Sequence, residues 1–234
     1  DLERFGFKFE SVSLQSNRQA LYEKYAEILF SKQKLYPCSC SRKKLFEENP
    51  VNADGEVIYS GHCLKNPIDK NSYFALRFKT PDKNILWEDL LLGKFEENPK
   101  NQCGDFTIKD RISQWTYQFA VCVDDLEENI GLVVRGEDLR NSTARQIVLS
   151  EALGRKTPPL YLHHPLLTEK SGEKLSKRQH SKSLRAELEQ RLSIEDLLGL
   201  VCCEAHSIPK KAPLTLNEAI YSIQKTYFSC FLKK

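Results

Sequence analysis

The 234-residue sequence has no methionine, only two tryptophans and no long apolar run. Its longest uninterrupted apolar stretches, Phe119–Val123 and Ile130–Val134 with its glycine, fall far short of the ~18 residues that a bilayer crossing needs, which excludes a membrane-spanning helix. Without a methionine, a chain that starts at Asp1 is not a translation product with its initiator retained, so upstream sequence is expected to be missing or removed. An excess of one charge is lacking too. The 35 Lys and Arg face 32 Asp and Glu, and a net of +3 implies no nucleic-acid partner unless the charge is clustered. Eight cysteines are too sparse for a disulfide-stapled secreted domain, and no apolar leader opens the chain, so a reducing, cytoplasmic compartment is expected. With 40% hydrophobic and 29% charged residues, the chain can fill a core and keep its surface wet, as a soluble globular protein of one large domain or two small ones does.

What is present has periodic order. From Asn17 and Arg18 onward, Leu21, Tyr25, Ile28 and Leu29 recur at the spacing of one helix face, and that helix is expected to end near Gln33. Tyr36 to Leu64 reads as loop, punctuated by Pro37, Pro50, Asp54-Gly55 and Gly61, and it holds three of the cysteines. The alternation of Tyr73, Ala75, Arg77 and Phe78 predicts a strand, followed by a mixed apolar run, Ile85–Leu92. Further strands are expected at Asp105–Lys109, at the buried-looking run Ile130–Val134 and at Tyr161–Leu167, with an apolar segment Trp115–Val123 between the first two. Asn141-Ser142-Thr143 can cap a helix that runs to Leu153 and stops at Gly154. Beyond Ser183, short helical patterns alternate with a linker holding Pro209 and Pro213. Strands alternating with helices predict an α/β architecture, interrupted by the cysteine-bearing segment.

Three constellations could support chemistry. Cys38-Ser39-Cys40 and a second knuckle, Tyr59-Ser60-Gly61-His62-Cys63, offer three thiols for zinc, with Tyr59 or His62 as fourth ligand; the plain alternative is three reduced cysteines in a small core. The basic stretch Lys174-Leu175-Ser176-Lys177-Arg178 follows a Gly-containing loop, where mobile ammonium groups suit a triphosphate, although solvated basic loops are common. Arg135 stands at the end of an expected buried strand, where a guanidinium can hold a carboxylate bidentately or pair internally with Glu137 or Asp138. Tyr117 and Gln118 add a phenol and an amide nearby.

Together these segments resemble a known family. Lys174–Arg178 is similar to the KMSKS loop of class I aminoacyl-tRNA synthetases. The order Asp105–Lys109, Tyr117–Asp125, Val134-Arg135-Gly136 and then that loop is similar to their glutamyl branch. Leu139, where ordinary glutamyl-tRNA synthetases usually have His, and Ser142-Thr143-Ala144-Arg145-Gln146 look instead like the truncated glutamyl-Q tRNA(Asp) synthetase subfamily, as does the CxC…Tyr-x3-Cys pattern.

That resemblance implies a Rossmann-type catalytic domain split by an inserted zinc-bearing domain, with a short helical C-terminal region. Residues 1–34 would end the first half of the catalytic domain, 35–104 would form the zinc-bearing acceptor-stem-like insertion, 105–182 the second half, and 183–234 a helical stem-contact region. It implies ATP-dependent activation of L-glutamate, with Mg²⁺, and transfer to queuosine in the anticodon of tRNA(Asp), by a monomer. Lys177 would meet the phosphates with Lys174 and Ser176 supporting it, Tyr117 and Arg135 would recognise glutamate, and Cys38, Cys40, Tyr59 and Cys63 would hold one structural zinc. The family's opening HIGH-like motif and R-I-E-D segment have no counterpart here, and His62, His163, His164, His180 and His206 stand in other contexts. The chain is therefore expected to begin after those elements and to be incomplete for catalysis alone. A truncated conventional glutamyl-tRNA synthetase, a non-catalytic tRNA-binding remnant, and a zinc-stabilised module unrelated to tRNA are the alternatives.

Overall fold

The computed structural model describes residues 2–66, 68, 74–166, 192–205 and 207–228. They divide into two compact units: Ser13–His163, and a second drawn from the two ends of the chain, up to Val12 and from His164 onward. In the larger unit, helix α1 (Gln19–Ser31) leads into strand β1 (Leu35–Cys38), the short helices α2 (Arg42–Glu48) and α3 (His62–Lys65), and strands β2 (Ala75–Phe78), β3 (Ile85–Asp89) and β4 (Gly93–Glu97). Helix α4 (Pro99–Cys103), strand β5 (Thr107–Lys109), helix α5 (Tyr117–Glu127), strand β6 (Leu132–Gly136), helix α6 (Thr143–Leu153) and strand β7 (Leu160–His164) come next.

Two sheets organise these elements. β1, β2 and β5 form a three-stranded sheet in which β2 runs antiparallel to both neighbours. The second sheet has the order β4-β3-β7-β6, with β3 antiparallel to β4 and parallel to β7. Residues 85–97, inside the segment expected as an insertion, thus share a sheet with Leu160–His164. The parallel register sets Asp89 opposite Tyr161, two residues from His163.

The apolar core joins α1, α5 and α6 to the strands through Tyr22, Leu29, Phe78, Ile108, Phe119 and Leu149. On α1 the fully buried stripe is Tyr22, Ala26 and Leu29; of the expected face Leu29 is buried, while Leu21, Tyr25 and Ile28 are only half-buried. Tyr22 can turn inward because its hydroxyl donates to the Asp124 carboxylate at 3.0 Å. Helix α6 ends at Gly154, whose φ of 115° is the left-handed stop the sequence signals.

Two expectations need correction. The run Ile130–Val134 is a strand but not a buried one: Leu132 and Val134 are 36% and 52% exposed, while Arg135 is buried. β6 is an edge strand covered on one face, and that face holds the hydrogen-bond acceptors the arginine needs. The segment Tyr36–Leu64 is not all loop either. Ser41 caps α2 by accepting the Lys44 N–H, and Gly61, at φ 81°, turns the chain into α3.

Gly104 fastens that segment to the rest of the unit. Its φ of 64° and ψ of −147° lie where only glycine is comfortable, and a Cβ there would sit 2.1 Å from the Tyr59 carbonyl oxygen. Gly104→Ala is expected to lower stability by about 1–3 kcal/mol from backbone strain alone, read as a lower midpoint in urea unfolding.

In the smaller unit, the helices Ile194–Glu204 and Leu216–Tyr227 each begin with a capping box, Ser193 with Asp196 and Thr215 with Glu218. They match the helical patterns expected after Ser183. No helix among the described residues is long and apolar enough to cross a membrane.

Candidate functional site

The first cluster is built where β1 and α3 meet. β1 supplies Cys38, the turn after it Cys40, and the first turn of α3 Cys63; their sulfurs lie within 4.8 Å of one another and all three side chains are buried. The Tyr59 hydroxyl lies 3.4 Å from the Cys38 sulfur and 3.6 Å from that of Cys40, and the Cys40 and Cys63 sulfurs are 3.4 Å apart. For tetrahedral zinc, bond lengths of 2.3 Å to sulfur and 2.0 Å to oxygen require about 3.8 Å between sulfurs and about 3.5 Å between sulfur and oxygen. The three separations, 3.4, 3.6 and 3.4 Å, lie near those values, and three buried thiols beside a phenol are donors of the kind zinc takes. His62 faces elsewhere: Nε2 is 3.2 Å from the Lys44 ammonium and Nδ1 is 3.9 Å from Glu48, both on α2.

Burial pushes the Cys40 thiol up to about 11 and raises the Tyr59 phenol as well. At Cys63 burial acts in the same direction, but hydrogen bonds from Tyr59, the Ser39 backbone and the other thiols outweigh it and bring the group down to about 7. Such a set binds a metal by releasing protons. The Arg77 guanidinium lies 3.8 Å over the Tyr59 ring and holds its face in place.

The second cluster centres on Arg135, and each of its three nitrogens donates to a neutral acceptor. Nε reaches His163 Nε2 at 2.9 Å, Nη1 reaches Gln146 Oε1 at 2.6 Å, and Nη2 reaches Thr143 Oγ1 at 2.9 Å. These bonds go to α6 and β7 rather than to the neighbouring Glu137 or Asp138. A guanidinium has five N–H groups, so among the described residues one on each Nη is left beyond these three, the number that one bidentate carboxylate takes.

Tyr117 opens α5 and is 48% exposed. The next residue, Gln118, donates to Ser142 Oγ at 2.9 Å and accepts from Gln146 Nε2 at 2.8 Å, which ties the start of α5 to the arginine through one amide. Lys174, Ser176 and Lys177 lie outside the described residues. Sequence reasoning passed over Asp89 and His163. The signal for Asp89 was available, since Ile85, Trp87 and Asp89 alternate on the buried side of β3 and a carboxylate at such a place needs a reason.

The model for class I tRNA synthetases (E and Q), catalytic domain, matches residues 1–198. The chain belongs to that family. A glutamyl-Q tRNA(Asp) synthetase of Neisseria meningitidis serogroup C is 40% identical over 180 residues, 75% of this chain and 60% of the relative. That of Neisseria gonorrhoeae is 37% identical over 217 residues, 91% of this chain and 73% of the relative. The chain thus spans 60–73% of the length of these synthetases. Among solved structures, the glutamate-tRNA synthetase of Elizabethkingia anophelis superposes with a TM-score of 0.70 at 21% identity, over 96% of this chain and 58% of that one. The α/β fold is that of a class I synthetase catalytic domain, as the motif order implied.

Proposed function

We propose that this class I synthetase chain serves the activation of L-glutamate by ATP and its transfer to queuosine in the anticodon of tRNA(Asp). One observation supports this most: a buried arginine whose three internal bonds go to neutral acceptors and whose two remaining N–H groups suit a carboxylate. The names of the relatives support the choice of tRNA, and Leu139, in place of the histidine usual in ordinary glutamyl-tRNA synthetases, favours the glutamyl-Q branch.

In the reaction an oxygen of the glutamate α-carboxylate attacks the α-phosphorus of Mg²⁺-bound ATP in line, diphosphate leaves, and a mixed anhydride forms. A hydroxyl of queuosine then attacks the activated carbonyl, loses its proton, and AMP departs. No covalent protein intermediate is needed, so the work is alignment and charge neutralisation. Arg135 takes the γ-carboxylate, Tyr117 sets its hydroxyl against the substrate, and Lys177, with Lys174 and Ser176, meets the phosphates. Cys38, Cys40, Tyr59 and Cys63 hold one zinc that stabilises its segment and takes no part in the chemistry.

Glutamate-dependent ATP–diphosphate exchange tests the reading, with the chain alone and with the chain joined at its N-terminus to a HIGH-bearing segment of the family. Lys177→Ala should slow exchange by the equivalent of about 2.7–4 kcal/mol, chiefly in the chemical step, because a mobile ammonium binds the developing phosphate charge better than the ground state. Exchange unchanged in that variant makes Lys174–Arg178 an ordinary basic loop. No exchange in either form, with tRNA still bound, makes the protein a tRNA-binding remnant.

A further inference from the structure

Granted Arg135 as the residue that takes the γ-carboxylate, the geometry points to Asp89 and His163 as positioning residues that set the guanidinium for L-glutamate. Asp89 ends β3, and its carboxylate cannot swing. Oδ1 accepts the backbone N–H groups of Leu91 and Leu92, each at 2.9 Å, and Oδ2 accepts that of His163 at 3.0 Å. The same Oδ2 lies 2.7 Å from His163 Nδ1.

A carboxylate opposite Nδ1 fixes the tautomer: Nδ1 carries the proton and Nε2 presents a lone pair. That lone pair is what Arg135 Nε–H finds at 2.9 Å. Arginine has no acceptor, so a proton on Nε2 would set two donors against each other. The imidazole is fully buried, stacked on Tyr161 at 6.2 Å and edge-on to Trp87 at 5.9 Å, so its plane is fixed as well as its protonation. Burial, the largest influence on His163, holds its pKa below the usual value and keeps the ring neutral.

The consequence is directional. A guanidinium pinned at Nε by a fixed ring, and at its two Nη atoms by Gln146 and Thr143, is held at all three nitrogens, so its plane and its fork are set. The parallel pairing of β3 with β7 creates this alignment, because it brings Asp89 beside the strand that carries His163.

Two replacements, each keeping a polar atom near one of the two ring nitrogens and both losing the ring, separate the role from simple packing. In His163→Asn the side-chain amide can still donate to Asp89 but does not reach Arg135; in His163→Gln the amide oxygen can accept from Arg135 Nε–H but releases Asp89. Calorimetric titration of L-glutamate into the full 234-residue chain should show most of the affinity kept in His163→Gln and about tenfold or more lost in His163→Asn, the cost of a hydrogen bond to a charged group. Asp89→Asn should behave like His163→Asn, since an amide facing Nδ1 lets the ring take the other tautomer. The Arg135 Nε–H proton, observed by ¹⁵N NMR, should exchange slowly in the wild type and in His163→Gln and quickly in the other two.

Equal losses in His163→Asn and His163→Gln that track their melting temperatures would overturn the positioning role and leave Asp89–His163 as core packing. Wild-type affinity and slow Nε–H exchange in His163→Asn would do the same. A wild-type chain that takes up no glutamate while its Arg135 Nε–H is protected sinks the reading of Arg135 itself, a result distinct from the other two.

Discussion

Cys63→Ser is expected to strip the chain of zinc and to unfold the segment around residues 36–66 while the larger core persists. Structural zinc in small sites contributes an apparent 10–16 kcal/mol of binding free energy, roughly the scale of a whole domain's stability. Serine keeps nearly the size of the side chain but replaces a thiol, whose hydrogen-bond partners favour the thiolate, by a hydroxyl that is a poor zinc ligand. The loss should stay local. Tyr36, Cys38, Cys40, Tyr59 and Cys63 form a small core of their own, separate from the one around Phe119 and Leu149. Metal analysis should give about one zinc per wild-type chain and far less for the variant, with hydrogen exchange accelerated through α2 and α3 and unchanged in α5 and α6. Tyr59→Phe keeps the ring under Arg77 and removes only the oxygen, so it should weaken zinc, whereas His62→Ala should leave it unchanged. Zinc lost from His62→Ala and kept by Tyr59→Phe would hand the fourth corner to the histidine. A wild-type protein that purifies without metal, and takes none up, would leave the cluster as three buried thiols.

The cluster is legible in the sequence only in part. The spacing of Cys38, Cys40 and Cys63 is enough to bring the thiols to one site, because two ligands one residue apart need only a tight turn and one more knuckle. Tyr59 against His62 is not decidable from spacing, since both lie within reach along the chain. Their difference arises from α2, whose Lys44 and Glu48 face the imidazole, and from Gly104, whose missing Cβ lets the Tyr59 backbone approach. Local signals also find the stop of α6 at Gly154, but not its start, where Ser142 makes no side-chain capping bond because a 3-10 turn, Glu137–Ser142, already leads into the helix. They fail at β6, where the apolar letters Ile130–Val134 suggest burial and the sheet order puts the strand at an edge. No local window can see sheet order. The same blindness hides His163 and Asp89, which are far apart in sequence and meet only because β3 and β7 pair in parallel.

Arg135→Lys is expected to damage both stability and the choice of amino acid, although it keeps the charge. An ammonium on a flexible stem has three N–H groups around one atom, and it cannot reach His163 Nε2, Gln146 Oε1 and Thr143 Oγ1 from the three separate points at which the guanidinium now meets them. At least one buried acceptor is left without a donor, at about 1–3 kcal/mol each. A shift of several degrees in melting temperature should report this part. The second part concerns glutamate against glutamine. Two parallel N–H groups suit two equivalent carboxylate oxygens and leave one of the donors facing the amide NH₂ of glutamine, so the fork discriminates where a point charge does so poorly. Exchange assays with the two amino acids, on the chain joined to a HIGH-bearing segment of the family, should therefore show weaker activation of glutamate and a narrower preference over glutamine in the variant, by more than the loss of folded protein explains. If the lysine variant is destabilised but its remaining folded fraction activates glutamate normally and still refuses glutamine, Arg135 holds α6 and β7 together and another group selects the substrate.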